Sequence, residues 1–200
     1  MTEKLDTDVR RDQIVEAALA VLGTRSVQDL GMADIARRVG LVPSAIYRHF
    51  RSKDEVLDAV LQRVGRRLLE NVRTVRAQTA DPLERLRRLL MQHAQLVREN
   101  QCIPRLVFSE AMAGDNSARR STIHGIIRTY LDRLGEIAEE GQREGVIRPD
   151  LDGETVALLL LGIVQPGAVL WHLSEGKFDV TRHAQRAWRL LRAAIAAEGM

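Results

Sequence analysis

A single cysteine, Cys102, in 200 residues excludes an internal disulfide and fits a reducing compartment. With that one cysteine and five histidines, none in a His-x-x-x-His pair, the chain lacks zinc-ligand spacing, and no metal is expected. Aromatic residues make up only 4%, and no segment alternates apolar and polar residues as a half-buried strand does. Neither a Gly-rich phosphate loop nor a Gly-x-Ser-x-Gly elbow is present, so no cofactor is expected and an enzyme is not expected. The opening MTEKLDTDVRRDQ has none of the apolar core of a secretory signal. The longest apolar run, Val156 to Trp171, is broken by Gln165 and Pro166 and falls short of the roughly 20 residues of a membrane span. The expectation is a cytoplasmic protein with no membrane contact.

What is abundant is Leu, Ala, Arg and Glu, a helix-forming mixture. Ile14, Val15, Ala18, Leu19 and Leu22 form the stripe of a first amphipathic helix ending near Gly23. The stretch MADIARRVGLVPSAIYRHFRSKDEVL, residues 32–57, then reads as two short helices joined at a glycine. Ile35, Ala36 and Val39 give the first an apolar face, and Gly40 suits a left-handed cap. Pro43 belongs in the first turn of the second, whose Ile46 and Phe50 must face inward. That leaves Ser44, Ala45, Tyr47, Arg48 and His49 outside, an arrangement that fits a DNA major groove.

The net charge of +3 decides little, but its distribution is informative. Between Ile35 and Lys53 stand Arg37, Arg38, Arg48, Arg51 and Lys53 with no acidic residue, whereas residues 1–34 are net acidic. A basic stripe on a small module is the footprint of phosphate contact.

Beyond the module, Ser52 with Glu55 makes a capping box for a helix reaching about Ala77. Asp81-Pro82 starts another helix, with Leu86, Leu89, Leu90, His93 and Val97 on its buried face. A short helix from Pro104 to Met112 ends at GDNS, and a longer one runs from Ala118 to Glu144. The last two helices, about 152–173 and 180–197, flank SEGKFD. The fold class expected is all-α, with about nine helices and no repeat.

From Ile14 to Leu57 these residues resemble the tetracycline-repressor (TetR) family of bacterial regulators. The likeness lies in AALAVL, DIARRVG and SAIYRHFRSKDEVL, with a fainter echo in EGQREGVIRPDLD. Gly31 departs from the family's usual Ser or Thr, and Val42 stands where a capping Ser is common. The resemblance implies a helix-turn-helix DNA-binding domain over residues 1–52 and a helical effector-binding and dimerisation domain over 53–200. It implies a homodimeric repressor that binds a double-stranded, pseudo-palindromic operator and is released by a small-molecule effector. Carried over by position, Tyr47, His49 and Lys53 contact phosphates, Ser44, Ala45 and Arg48 face base edges, and Arg37 lies near the backbone. The side chains suit these roles: hydroxyl, imidazole and ammonium all donate to phosphate, and Arg48 can grip guanine with two hydrogen bonds.

For the effector, the expected pocket residues are Met91, His93, Cys102, Leu106, Phe108, Met112, Ile127, Tyr130, Gln165 and Trp171. Pro166 is expected to kink its helix and free a carbonyl near Gly162. For the dimer interface, Leu158, Leu161, Gln165 and Val169 fall on one face of the penultimate helix. Ala184, Trp188, Leu191 and Ile195 do so on the last. Two other readings stay open: a same-fold DNA-binding protein controlled by a protein partner, and a helical-bundle carrier or enzyme whose motif is vestigial.

Overall fold

The computed structural model describes residues 7–100, 102–112 and 116–197, the side chains at 105, 111 and 112 excepted. Nine helices lie within them: α1 (Thr7–Leu22), α2 (Met32–Val39), α3 (Pro43–Ile46), α4 (Lys53–Gln78), α5 (Pro82–Glu99), α6 (Cys102–Met112), α7 (Ser117–Arg143), α8 (Gly153–Leu173) and α9 (Val180–Ile195). The all-helical expectation holds. Among the described residues the extended pairing is a lone antiparallel bridge, Ile147 to Ala196.

Local chemistry sets the helix starts. The Ser52 side chain accepts the Glu55 backbone N–H at 3.2 Å, and the Glu55 carboxylate accepts the Arg51 N–H at 2.8 Å. These bonds occupy donors that a helix N-terminus otherwise leaves open. Asp81 caps α5 ahead of Pro82, and Asn116, Asp152 and Asp179 cap α7, α8 and α9 by accepting the N–H three residues on. α6 begins at Cys102, two residues before the expected Pro104, because proline fits inside a first turn that needs no N–H there.

α1, α2, α3 and the first turns of α4 close around Ile14, Ala18, Leu22, Ile35, Ile46 and Phe50, all buried. The Arg11 guanidinium lies 4.0 Å from the centre of the Phe50 ring and pairs with Glu55 at 3.2 Å, tying α1 to the start of α4. The rest of α4 packs on α5 and α7, and these with α8 and α9 enclose Leu86, Leu90, Leu134, Ile137, Leu160 and Ala184. Gly141 lets α7 press on the loop after it, since a Cβ there would sit 2.7 Å from Ile147 Cδ1.

α4, α6 and α7 meet at Arg119, near the start of α7 and 4% exposed. Its guanidinium donates to Glu110 of α6 at 2.8 Å, to Asp58 of α4 at 2.7 Å, and to Asp54 of α4 at 2.8 Å. A further bond reaches the Asp54 carbonyl at 3.2 Å. Burial opposes charging this guanidinium, and the three carboxylates outweigh it, so its pKa is raised. Breaking a buried ion pair from one side costs about 3–5 kcal/mol. Asp54 and Asp58 are half open to water and Glu110 is not, so the low end applies. Arg119→Met is expected to cost about 3 kcal/mol and to lower Tm by roughly 6–12 °C for a chain of this size. Thermal melts by circular dichroism check this, and a drop under 2 °C would show that the cluster holds nothing together.

Candidate nucleic-acid interface and ligand cavity

The helix-turn-helix is built from backbone constraints first. α2 ends in Gly40, at φ 74° and ψ 29°, which only glycine adopts freely. The Gly40 N–H donates to the Arg37 carbonyl at 3.2 Å and the Leu41 N–H to the Ala36 carbonyl at 2.9 Å, a complete Schellman cap. At its other end α2 has no side-chain cap on Gly31, and Asp34 stands in the first turn, favourable to the helix dipole. Val42 likewise gives α3 no side-chain cap.

α3 itself is a single turn, shorter than the run expected from sequence. It continues past Ile46 as tight turns, with the His49 and Phe50 N–H groups both donating to the Ile46 carbonyl at 2.9 and 3.0 Å. Ile46 and Phe50 are fully buried, as their spacing requires. Ser44, Tyr47 and Arg48 stand exposed on the outer surface, with Ala45 half-buried beside them. His49 is half-buried, its Nδ1 is buried without a hydrogen-bond partner, and its carbonyl accepts from Arg11.

Two of the expected phosphate contacts already have partners. Arg37, 77% exposed along its side chain, pairs with Asp34 at 3.4 Å, and Arg25 pairs with the same carboxylate at 2.6 Å. The Lys53 ammonium donates to the Gln28 carbonyl at 3.0 Å, pinning the α1–α2 loop over the start of α4.

A cavity of about 70 Å³, open to the centres of water-sized spheres, lies between α4, α5, α6, α7 and α8. His93, Ile127, Tyr130 and Gln165, all expected in the pocket, line it. Sequence reasoning missed Leu61, Val64 and Leu68 of α4 and Ile103, Pro104 and Val107 of α6. The i, i+3, i+7 stripe on α4 was the available signal, but a stripe looks the same whether it faces a void or a neighbour. His93 is 7% exposed, stands edge-on to Tyr130 with ring centres 5.5 Å apart, and has its Nδ1 buried and unpartnered. Burial pushes its pKa down to about 4 and raises that of the Tyr130 hydroxyl.

Other expected pocket residues lie elsewhere. Cys102 is buried toward α1, its Sγ 3.4 Å from the Leu19 carbonyl. Leu106 is fully buried in the core, Met91 packs partly buried against that core, and Phe108 is 41% exposed. Trp171 covers Gly176 in the turn after α8, where φ is 84°. The side chain of Met112 lies outside the described residues. α8 runs unbroken through Pro166, and a His183 ring nitrogen lies 3.2 Å from the Ile163 carbonyl, one residue beyond the expected position. Among the described residues no group of three His, Cys, Asp or Glu side chains could hold a metal ion.

α8 is the one described helix long and apolar enough to cross a membrane by length and composition. Its inner face, Val156, Leu160 and Val164, is core. Its outer face leaves Leu158, Leu159, Val169, Leu170 and Leu173 between 44% and 74% exposed. Of the residues expected at a dimer interface, Leu158 and Val169 are exposed, while Leu161 and Gln165 line the cavity. The expectation for α9 is corrected. Ala184, Trp188, Leu191 and Ile195 are buried within this chain, because the apolar stripe of α9 gains more by packing on α5 and α8. Leu190, on the opposite side, is the exposed leucine of α9, at 76%.

Two family models match this chain. Residues 14–60 match the bacterial regulatory proteins of the tetR family, and residues 61–194 match the C-terminal region of YsiA-like proteins. The nucleoid occlusion factor SlmA of Shewanella pealeana is 28% identical over 185 residues, covering 91% of this chain and 92% of that protein. The fatty acid degradation regulator FadR of Bacillus halodurans superposes with a TM-score of 0.80 at 23% identity, over 92% of this chain and 94% of its own. The FadR of Bacillus subtilis, solved with stearoyl-CoA, gives 0.78 at 22% identity, over 92% and 98%. The chain therefore belongs to the tetR family of bacterial regulatory proteins, and is a DNA-binding transcriptional regulator with a YsiA-like C-terminal region.

Proposed function

We infer that this regulator is a homodimeric repressor, not an enzyme, that leaves a pseudo-palindromic operator when a small molecule enters the cavity. It works beside the chromosome, in the cytoplasm, with the module at 1–52 on DNA and residues 53–200 sensing and dimerising. One observation carries the ligand-responsive part. α6 supplies Ile103, Pro104 and Val107 to the cavity wall, and further along the same helix Glu110 pairs with Arg119, which grips Asp54 and Asp58. Those aspartates sit in the first turns of α4, directly after the recognition segment. An occupant that shifts α6 moves the helix on which the DNA module is mounted. It changes operator affinity by the difference in its own affinity for the two shapes.

The open leucine face of α8 supports a second copy as the partner, since a two-fold axis places two recognition segments about one DNA turn apart. The likeness to nucleoid occlusion factors favours a second reading, in which DNA binding is kept and another protein takes the effector's place. Operator footprints with and without cell metabolites separate the two.

On operator DNA selected from random sequence, Arg48→Ala is expected to weaken binding about 10- to 100-fold and relax preference at one base pair. Tyr47→Phe is expected to lose about tenfold regardless of sequence. With about five phosphates per subunit, the log–log salt slope is expected near −9, and a slope near zero in a fluorescence anisotropy titration would refute DNA binding by this surface. Leu159→Glu combined with Leu170→Glu is expected to convert dimer to monomer in sedimentation without changing the helical spectrum, because both side chains are exposed in the single chain. A dimer that persists places the interface elsewhere.

His93 gives a pH dependence. Its imidazole binds a proton below an ordinary pKa of 6.5 when unfolded and only below about 4 when folded. The unfolded chain therefore takes up the proton first, and stability falls as pH drops from 6.5 to 4, by on the order of 3 kcal/mol. Melts of the wild type and His93→Phe across that window are expected to differ in slope, with the wild type steeper. Parallel slopes would mean that His93 is not buried neutral.

A further inference from the structure

The cavity between α4, α5, α6, α7 and α8 is aliphatic except for His93, Tyr130 and Gln165, with the His93 and Tyr130 rings 5.5 Å apart. None of the residues lining it carries a carboxylate, ammonium or guanidinium group. His93 is more than nine-tenths buried, and its Nδ1 has no hydrogen-bond partner. The imidazole is held neutral, with burial lowering its pKa to about 4, so near neutral pH it offers one N–H and one lone pair and no positive charge. A carboxylate entering here leaves its hydration behind and meets no counter-ion, and an ammonium fares no better.

We propose that this cavity binds a small uncharged molecule with an aliphatic body and one hydroxyl or carbonyl oxygen hydrogen-bonded at His93, and rejects the carboxylate and ammonium of the same length. The proposal rests on reading the cavity as the effector site. It sets the selectivity of that site by two features: an apolar wall that excludes charge, and one imidazole that rewards a single oxygen.

The test uses the full chain at pH 7.5 with a six-carbon series: 1-hexanol, 2-hexanone, hexanoate and hexylammonium. Isothermal titration is expected to show hexanol or hexanone binding at least tenfold tighter than either ion, and to raise Tm accordingly. His93→Phe keeps a ring against Tyr130 and removes both nitrogens, and is expected to lose about tenfold in hexanol affinity. Because that variant could fold poorly, the wild type carries a second readout: the ring-nitrogen NMR signals of His93 are expected to shift on adding hexanol. Hexanoate binding as tightly as hexanol, no binding by either neutral compound, or unmoved His93 signals would each overturn the proposal. Operator affinity measured in the same samples tests the effector reading separately. Neutral ligands that bind without altering DNA affinity support the ligand class and overturn the effector role. Hexanoate that both binds and releases DNA does the reverse.

Discussion

A buried guanidinium has to be matched, and Arg119 is matched from two helices at once. α4 brings Asp54 and Asp58, and α6 brings Glu110. Charge out of water tolerates little misplacement, because its compensation depends on short, well-aligned contacts. The meeting point of α4, α6 and α7 is therefore set by a polar constellation with defined geometry, where apolar packing alone would allow sliding. The helices that meet there serve different ends: α4 continues from the recognition segment, and α6 borders the cavity. Nearby, Cys102 at the start of α6 faces the Leu19 carbonyl of α1, so α6 touches the DNA module at its other end as well.

Much of this fold is written locally. Ser52 with Glu55, Asp81 before Pro82, and Gly40 between two short apolar stripes are signals that act within a few residues, and each produces the cap or turn that its chemistry requires. The stripes of α1, α5 and α7 are likewise legible, because the buried side of an amphipathic helix is fixed by period alone. The Arg119 cluster is not legible, since its partners on α4 lie more than sixty positions away and exposed arginine–acid pairs occur throughout the chain. The α9 error has the same root. Period identifies the apolar face of a helix but not whether that face meets the same chain or another, and Trp188 and Leu191 meet the same chain.

The cavity was partly legible for a related reason. His93 stood out as a polar residue on an apolar face, and Tyr130 and Gln165 could be named from their helices. The aliphatic wall contributed by α4 and α6 looks like any core stripe until tertiary packing leaves a gap. What the wall lacks is as informative as what it holds. The described lining of this cavity carries no charged side chain.

The small bridge between Ile147 and Ala196 has a bearing on how the chain folds. It rests on two backbone bonds, from Arg148 N–H to the Ile195 carbonyl and from Ala197 N–H to the Val146 carbonyl. These residues are roughly fifty positions apart, so the bridge closes a loop that contains all of α8 and α9 and repays its closure entropy only once both helices have docked. Residues 195–197 are thus fixed beside the corner where α7 turns into α8 only in a chain whose last two helices are in place.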